Sequence, residues 1–191
     1  AHCHHKRPSA PFAADPMMGS RGSSKARASR ASGRSQMQDR IRPVGIDDVT
    51  AVKAIEDSCF PNPWDIDVFI ALAESDGCIT LRRGKQVLMH VIENNGSVAG
   101  YIVWENRPDT HKGRVLNIAV RKNLQRMDLG RSLLQHVFDS LTERGIKTVA
   151  LEVREGNLAA HRLYERMGME ESGRVPNYYD DEDAIIYSIT L

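Results

Sequence analysis

The stretch VLMHVIENNGSVAGYIVWE, residues 87–105, constrains the fold more than any other part of the chain. Two apolar, β-branched runs flank Asn95-Gly96, a pair suited to positive φ in a tight turn, and so form the clearest hairpin in the sequence. What can pair with that hairpin, or pack on it, has to come from the remaining elements. Upstream, IRPV (41–44) reads as a short strand. Asp47 or Asp48 is then placed to cap a helix carrying Val49, Val52, Ile55 and Cys59 at helical spacing, which FPNPW (60–64) must break. A second helix, from Asp65 to about Ala73, puts Ile66, Phe69 and Ile70 on one side, and Asp76-Gly77 ends it. CITLRRGK (78–85) fits either an added strand or a loop.

Downstream, the polar loop NRPDTHKG leads to VLNIAV (115–120), apolar enough for a central strand. LQRMDLGRSLLQHVFDSL (124–141) supplies a helix with Leu129, Leu133, Leu134, Val137 and Leu141 on one face and Gly145 as its stop. KTVALEV (147–153) is the next strand, Asn157 caps a helix over LAAHRLYERM, and Gly168 closes it. Strands near 170–175 and 184–190 finish the chain. The order β-α-α-β-β-β-α-β-α-β-β predicts a mixed sheet with helices packed on it, an α/β (α+β) class fold.

At 191 residues the chain suits one domain and a tail. Its net charge of +1 hides an asymmetry, because residues 1–40 carry eight Lys and Arg against two acids, leaving 18 basic and 23 acidic residues in 41–191. The first forty residues are rich in Ser, Arg, Ala and Gly and lack apolar periodicity, so they read as a disordered basic tail, with some likeness to an organellar transit peptide. HCHH at 2–5 has the residue types of a metal site but no distant partners to complete one. No apolar run is long enough to span a membrane, and Cys3, Cys59 and Cys78 give no disulfide framework, which points to a reducing, cytoplasmic setting.

Chemistry concentrates in the second half. An apolar strand runs into an Arg-flanked helix start, where backbone N–H groups and the helix dipole favour an anion such as a pyrophosphate. The next strand holds one acid, Glu152, in LEVR, and the following helix carries Tyr164 seven residues after Asn157. Read alone, Glu152 is a solvent-facing residue of a half-exposed strand, Tyr164 is ordinary core, and His161 is solvated.

Together, however, LNIAV, QRMDLGRSLL, LEVREGNLAAHRLYERMGM and RVPNYYDDEDAIIY resemble the GNAT acetyltransferase superfamily, and within it the bacterial ribosomal-protein-alanine N-acetyltransferases, over about residues 41–191. The resemblance implies a mixed, mostly antiparallel sheet of six to seven strands with about four helices. It also implies an acetyl-CoA-dependent N-acetyltransferase that needs no metal and acts on a protein or peptide N-terminus, a small-subunit ribosomal protein being one candidate acceptor. Position by position, it assigns the backbone of Ile118, Ala119 and Val120 to the pantetheine arm and that of Arg126, Met127, Asp128, Leu129, Gly130 and Arg131 to the pyrophosphate. Asn157 would touch the cofactor, Glu152 would be the general base and Tyr164 the general acid. FPNPW and Tyr178-Tyr179 would lie near the acceptor groove, although the two tyrosines equally suit plain strand positions. No nucleic-acid or membrane role follows for the body, and the oligomeric state is not legible.

One position departs from the pattern. The usual loop is Q-x-x-G-x-G/A, and here Gln125 and Gly130 are present while Asp128 replaces the first glycine. An aspartate adds a Cβ and a negative charge beside another anion, yet suits a helix N-terminus as a cap, or as a partner of Arg126 or Arg131. Two other functions compete: acetylation of a small amine such as a polyamine or aminoglycoside, and a non-catalytic binding module whose basic tail contacts nucleic acid or a ribosome.

Overall fold

The computed structural model describes residues 39–179 and 182–191, so HCHH and the expected tail up to residue 38 lie outside the described residues, while Arg40 already belongs to the first strand. Eight strands and four α-helices follow one another: β1 (Arg40–Pro43), α1 (Val49–Cys59), α2 (Ile66–Glu74), β2 (Cys78–Thr80), β3 (Gln86–Asn94), β4 (Ser97–Arg107), β5 (Lys112–Val120), α3 (Leu129–Glu143), β6 (Thr148–Arg154), α4 (Leu158–Arg166), β7 (Glu170–Tyr179) and β8 (Glu182–Thr190). The strand beyond the expected six to seven is β2, three residues from the segment that suited strand or loop. It shares one edge of β3 with β1, pairing with residues 86–88 while β1 pairs with residues 90–93.

The sheet order is β1-β3-β4-β5-β6-β8-β7, and every pairing is antiparallel except β5 with β6. The β3–β4 hairpin turns through Asn95 and Gly96, both at positive φ (54° and 74°), as their sequence predicts. Alternation along β3 sends Val87, Met89 and Val91 to one core and Leu88 and Ile92 to the other, so both faces of the sheet are covered. α1 and α2 cover the first face with Val52, Ile55, Phe69 and Leu72. α3 and α4 cover the second with Leu129, Leu133, Leu134, Val137, Leu141 and Tyr164. Burying each aliphatic side chain of that α3 stripe contributes about 1.5–3 kcal/mol relative to exposure.

Several local expectations change. Asp48 precedes α1 but makes no cap bond to it. Its carboxylate accepts from the Gly45 N–H at 2.8 Å and from Arg42 at 2.6 Å, and the Arg42 bond holds it below the usual aspartate range. Asp65 does cap α2, accepting from the Asp67 N–H, whereas Ile66 is exposed rather than packed with Phe69. The loop expected over NRPDTHKG shortens to residues 108–111, because β4 runs on to Arg107 and β5 starts at Lys112.

Beneath α3, His90 Nδ1 and His136 Nε2 lie 2.8 Å apart, with the Trp104 ring against both. Burial, and then the neighbouring His136 and Arg144, push His90 down to about 4. The folded state therefore binds fewer protons than the unfolded chain, whose histidines titrate near 6.5. The pair's contribution to stability is complete above that pH and is lost as pH falls toward 4. Between pH 7 and pH 5, thermal melts should show a loss of about 1 kcal/mol, after discounting for partial exposure. His90→Gln, which removes the strongly shifted ring, should flatten that limb.

Candidate active site

The site begins where two parallel strands part. β5 and β6 pair only at Lys112, Gly113 and Arg114, against Thr148, Val149 and Ala150, although each strand continues well beyond. From Val115 onward β5 stays bonded to β4 on one side, with an irregularity opposite Val103 and Trp104, while β6 bonds to β8. Between them opens a cavity of about 830 Å³, flanked by Leu116 to Val120, the loop and start of α3, the end of β6 and α4. The peptide edge of β5 that faces the gap is paired to no strand of the sheet, so it offers N–H and C=O groups to an extended ligand.

At the wide end, α3 starts with the N–H groups of Leu129, Gly130 and Arg131, which the helix itself cannot satisfy. Gln125 shapes the approach: its side-chain amide donates to the Val120 carbonyl at 3.2 Å, tying the loop back to β5. Gly130 lets α4 approach closely, since a Cβ there would stand 3.3 Å from Leu163 Cδ2 and press on that side chain. Arg126, Asp128, Leu129, Gly130, Arg131 and Asn157 all line the cavity, as do Ile118, Ala119 and Val120. Met127 does not, and it is half exposed.

Asp128 overturns the reading of it as a cap. Its φ is 57°, in the left-handed region, and its side chain makes neither a cap bond to α3 nor, among the described residues, an ion pair with Arg126 or Arg131. Aspartate is tolerated there because its short polar side chain adopts left-handed geometry more readily than most, not because it stabilises the helix. Asp128→Gly should therefore relieve strain as it removes a negative charge from the cavity wall. The expected result is several-fold tighter acetyl-CoA binding in a calorimetric titration, with a melting temperature unchanged or slightly raised.

At the narrow end stand Glu152 and Tyr164, both on the cavity wall. Glu152 is not the free strand residue that alternation alone predicts. Arg114 Nε and NH2 both meet its Oε2, at 2.9 and 2.8 Å, and Arg114 NH2 also donates to the Tyr178 hydroxyl at 3.4 Å. Tyr164 is buried, and that burial, with Tyr179 adding to it, pushes its phenol well above the ordinary range, so it keeps its proton at physiological pH. Asn157 does cap α4, accepting from the Ala160 N–H at 3.2 Å. His161 is not solvated: its ring meets the Tyr187 hydroxyl at 3.0 Å and the Arg154 and Glu155 carbonyls at 3.1 Å, bracing the loop between β6 and α4. Tyr179 lines the cavity beneath the Arg154 guanidinium, 4.2 Å from its ring centroid.

The acetyltransferase (GNAT) family profile matches residues 49–169, which span this cavity. The chain belongs to the GNAT acetyltransferase family. It is an acetyl-CoA-dependent N-acetyltransferase. Among its relatives, the ribosomal protein bS18-alanine N-acetyltransferase of Escherichia coli is 34% identical over 148 residues, covering 75% of this chain and 92% of that protein. The enzyme of the same description from Haemophilus influenzae is 31% identical over 133 residues, covering 69% and 88%. The crystal structure of the E. coli enzyme superimposes with a TM-score of 0.67 at 32% identity, over 80% of this chain and 94% of that one.

Sequence reasoning missed the acetyltransferase's buried hub behind the cavity. Glu56, 0% exposed on α1, accepts from the Trp64 N–H at 2.7 Å, the Asn117 amide at 3.1 Å and the Tyr101 hydroxyl. It ties the Phe60–Trp64 wall to β4 and β5. The signal was present in the helical spacing: Glu56 falls four residues after Val52 on the buried stripe of α1.

Proposed function

We propose that this acetyltransferase acetylates the N-terminal α-amino group of a protein or peptide, with Glu152 as base and Tyr164 as acid. The observation that carries the reading is the placement of a carboxylate and a protonated phenol on one cavity wall, beside the unpaired edge of β5. Bound acetyl-CoA supplies an activated acyl group as a thioester. The backbone edge from Leu116 to Val120 orients its extended arm by strand-like pairing, and the start of α3 with Arg126 and Arg131 holds the pyrophosphate.

Glu152 takes the proton that the acceptor amine must lose, directly or through a water, as the new N–C bond forms and the C–S bond breaks. Oε1 is the oxygen for that work, because both Arg114 contacts fall on Oε2. Tyr164 donates its proton toward the departing sulfur. An α-amine, with a pKa near 7.7–8.0, asks far less of a carboxylate base than a lysine amine near 10.4. The acidic balance of residues 41–191 draws a cationic N-terminus toward the site. The named activity of the bacterial relatives favours a ribosomal-protein acceptor.

Acetylation of a small amine is the second reading. A coupled assay for free CoA should show turnover with peptides bearing a free α-amine and little with polyamines or aminoglycosides. The reverse pattern would select the small-amine reading.

A further inference from the structure

Arg114 occupies a singular position. It is the last residue of β5 paired to β6, opposite Ala150, and its guanidinium reaches two residues further along β6 to Glu152, at the vertex where the cavity opens. From the rest of the surroundings, Tyr178 on β7 meets Arg114, and Glu105 on β4 adds to its field. β8 contributes the apolar Ile186 opposite Glu152, and α4 contributes Tyr164 on the cavity wall. Arg114 itself is not among the cavity-lining residues.

We propose that Arg114 is a positioning residue for acetyl transfer: by holding Oε2 of Glu152 it directs Oε1 to the acceptor amine. The inference rests on the reading of Glu152 as base. Arg114 meets Oε2 through both Nε and NH2, so that oxygen is held on the guanidinium side and Oε1 is the one left to face the acceptor. Burial opposes the charge of Arg114, but Glu152, Tyr178 and Glu105 together outweigh it and hold the guanidinium even more firmly protonated. The Tyr178 hydroxyl, in contact with NH2, keeps the guanidinium from swinging into the gap.

The test is kcat and KM for an α-amine peptide at pH 7 in wild type, Arg114→Lys, Arg114→Gln, Glu152→Gln and the double variant Arg114→Gln/Glu152→Gln. Arg114→Gln should lower kcat roughly tenfold with acceptor KM little changed, Arg114→Lys should restore much of that loss, and Arg114→Gln should cost almost nothing further once Glu152 is already Gln. Acetyl-CoA affinity by calorimetry should be unchanged in both single Arg114 variants, since Arg114 does not line the cavity. A kcat in Arg114→Gln equal to wild type, or a loss of the same size in the Glu152→Gln background, overturns the role of Arg114 and leaves the base standing. A kcat in Glu152→Gln equal to wild type overturns the base, and this proposal with it. Loss of acetyl-CoA binding in the Arg114 variants would show that Arg114 acts on the cavity rather than through Glu152.

Discussion

Glu152→Gln is expected to lower kcat for peptide acetylation at pH 7 by about 10²- to 10³-fold, the usual contribution of a positioned base, while leaving acetyl-CoA binding nearly intact. Glutamine keeps the shape of the side chain and a contact for Arg114 but cannot accept the amine's proton. The deficit should shrink as pH rises past about 8, because the acceptor then arrives deprotonated without help. Tyr164→Phe should behave in the opposite way. Its loss, about 10- to 10²-fold, should persist or grow at high pH, where the departing thiolate is left with no nearby donor. Burial among the α3 and α4 core makes phenylalanine a fair replacement for packing, so the variant should fold. Stopped or steady-state assays of free CoA across pH 6 to about 9 separate the two roles. Equal, pH-independent losses in both variants would mean that neither residue moves a proton.

The second large effect concerns stability. Glu56→Ala should cost about 4 kcal/mol, because it removes the acceptor shared by the Trp64 N–H, the Asn117 amide and the Tyr101 hydroxyl, each worth roughly 1–3 kcal/mol when stranded in the interior. For a chain of this size the melting temperature should fall by about 10 °C. Glu56→Gln, which keeps one carbonyl oxygen, should fall between alanine and wild type. The same substitution loosens Trp64 and with it the Phe60 side of the cavity, so acceptor KM should rise more than acetyl-CoA affinity falls. Calorimetric melts with parallel kinetics check both statements. A melting temperature within a degree or two of wild type would contradict the hub.

The outline of the fold was legible because its determinants are local. Asn95-Gly96, the apolar stripe from Leu129 to Leu141, and Asn157 with Gly168 each fix an element from within a few residues. β2 escaped a firm reading because three residues carry no period of their own. What pairs with what was less legible, and it is what makes the site. β5 and β6 stop pairing after Arg114 while β5 stays on β4 past the irregularity at Val103 and Trp104 and β6 stays on β8, none of which shows in VLNIAV or KTVALEV. The resemblance supplied Glu152 and Tyr164, and the structure puts both on the cavity wall. It could not supply Arg114, which reaches Glu152 only through the sheet register, nor the conformation of Asp128. A backbone at φ 57° is invisible to a residue-type argument, which sees an aspartate before a helix and expects a cap.

The central claim is that the gap between β5 and β6 serves acetyl transfer to α-amines. It is tested most directly by incubating the protein and acetyl-CoA with a peptide that carries both a free N-terminus and an internal lysine, then locating the new acetyl group by fragmentation mass spectrometry. The prediction is acetylation at the α-amino group, abolished by Glu152→Gln at neutral pH. Acetylation confined to the lysine, or none at all while a small amine is consumed, would contradict it.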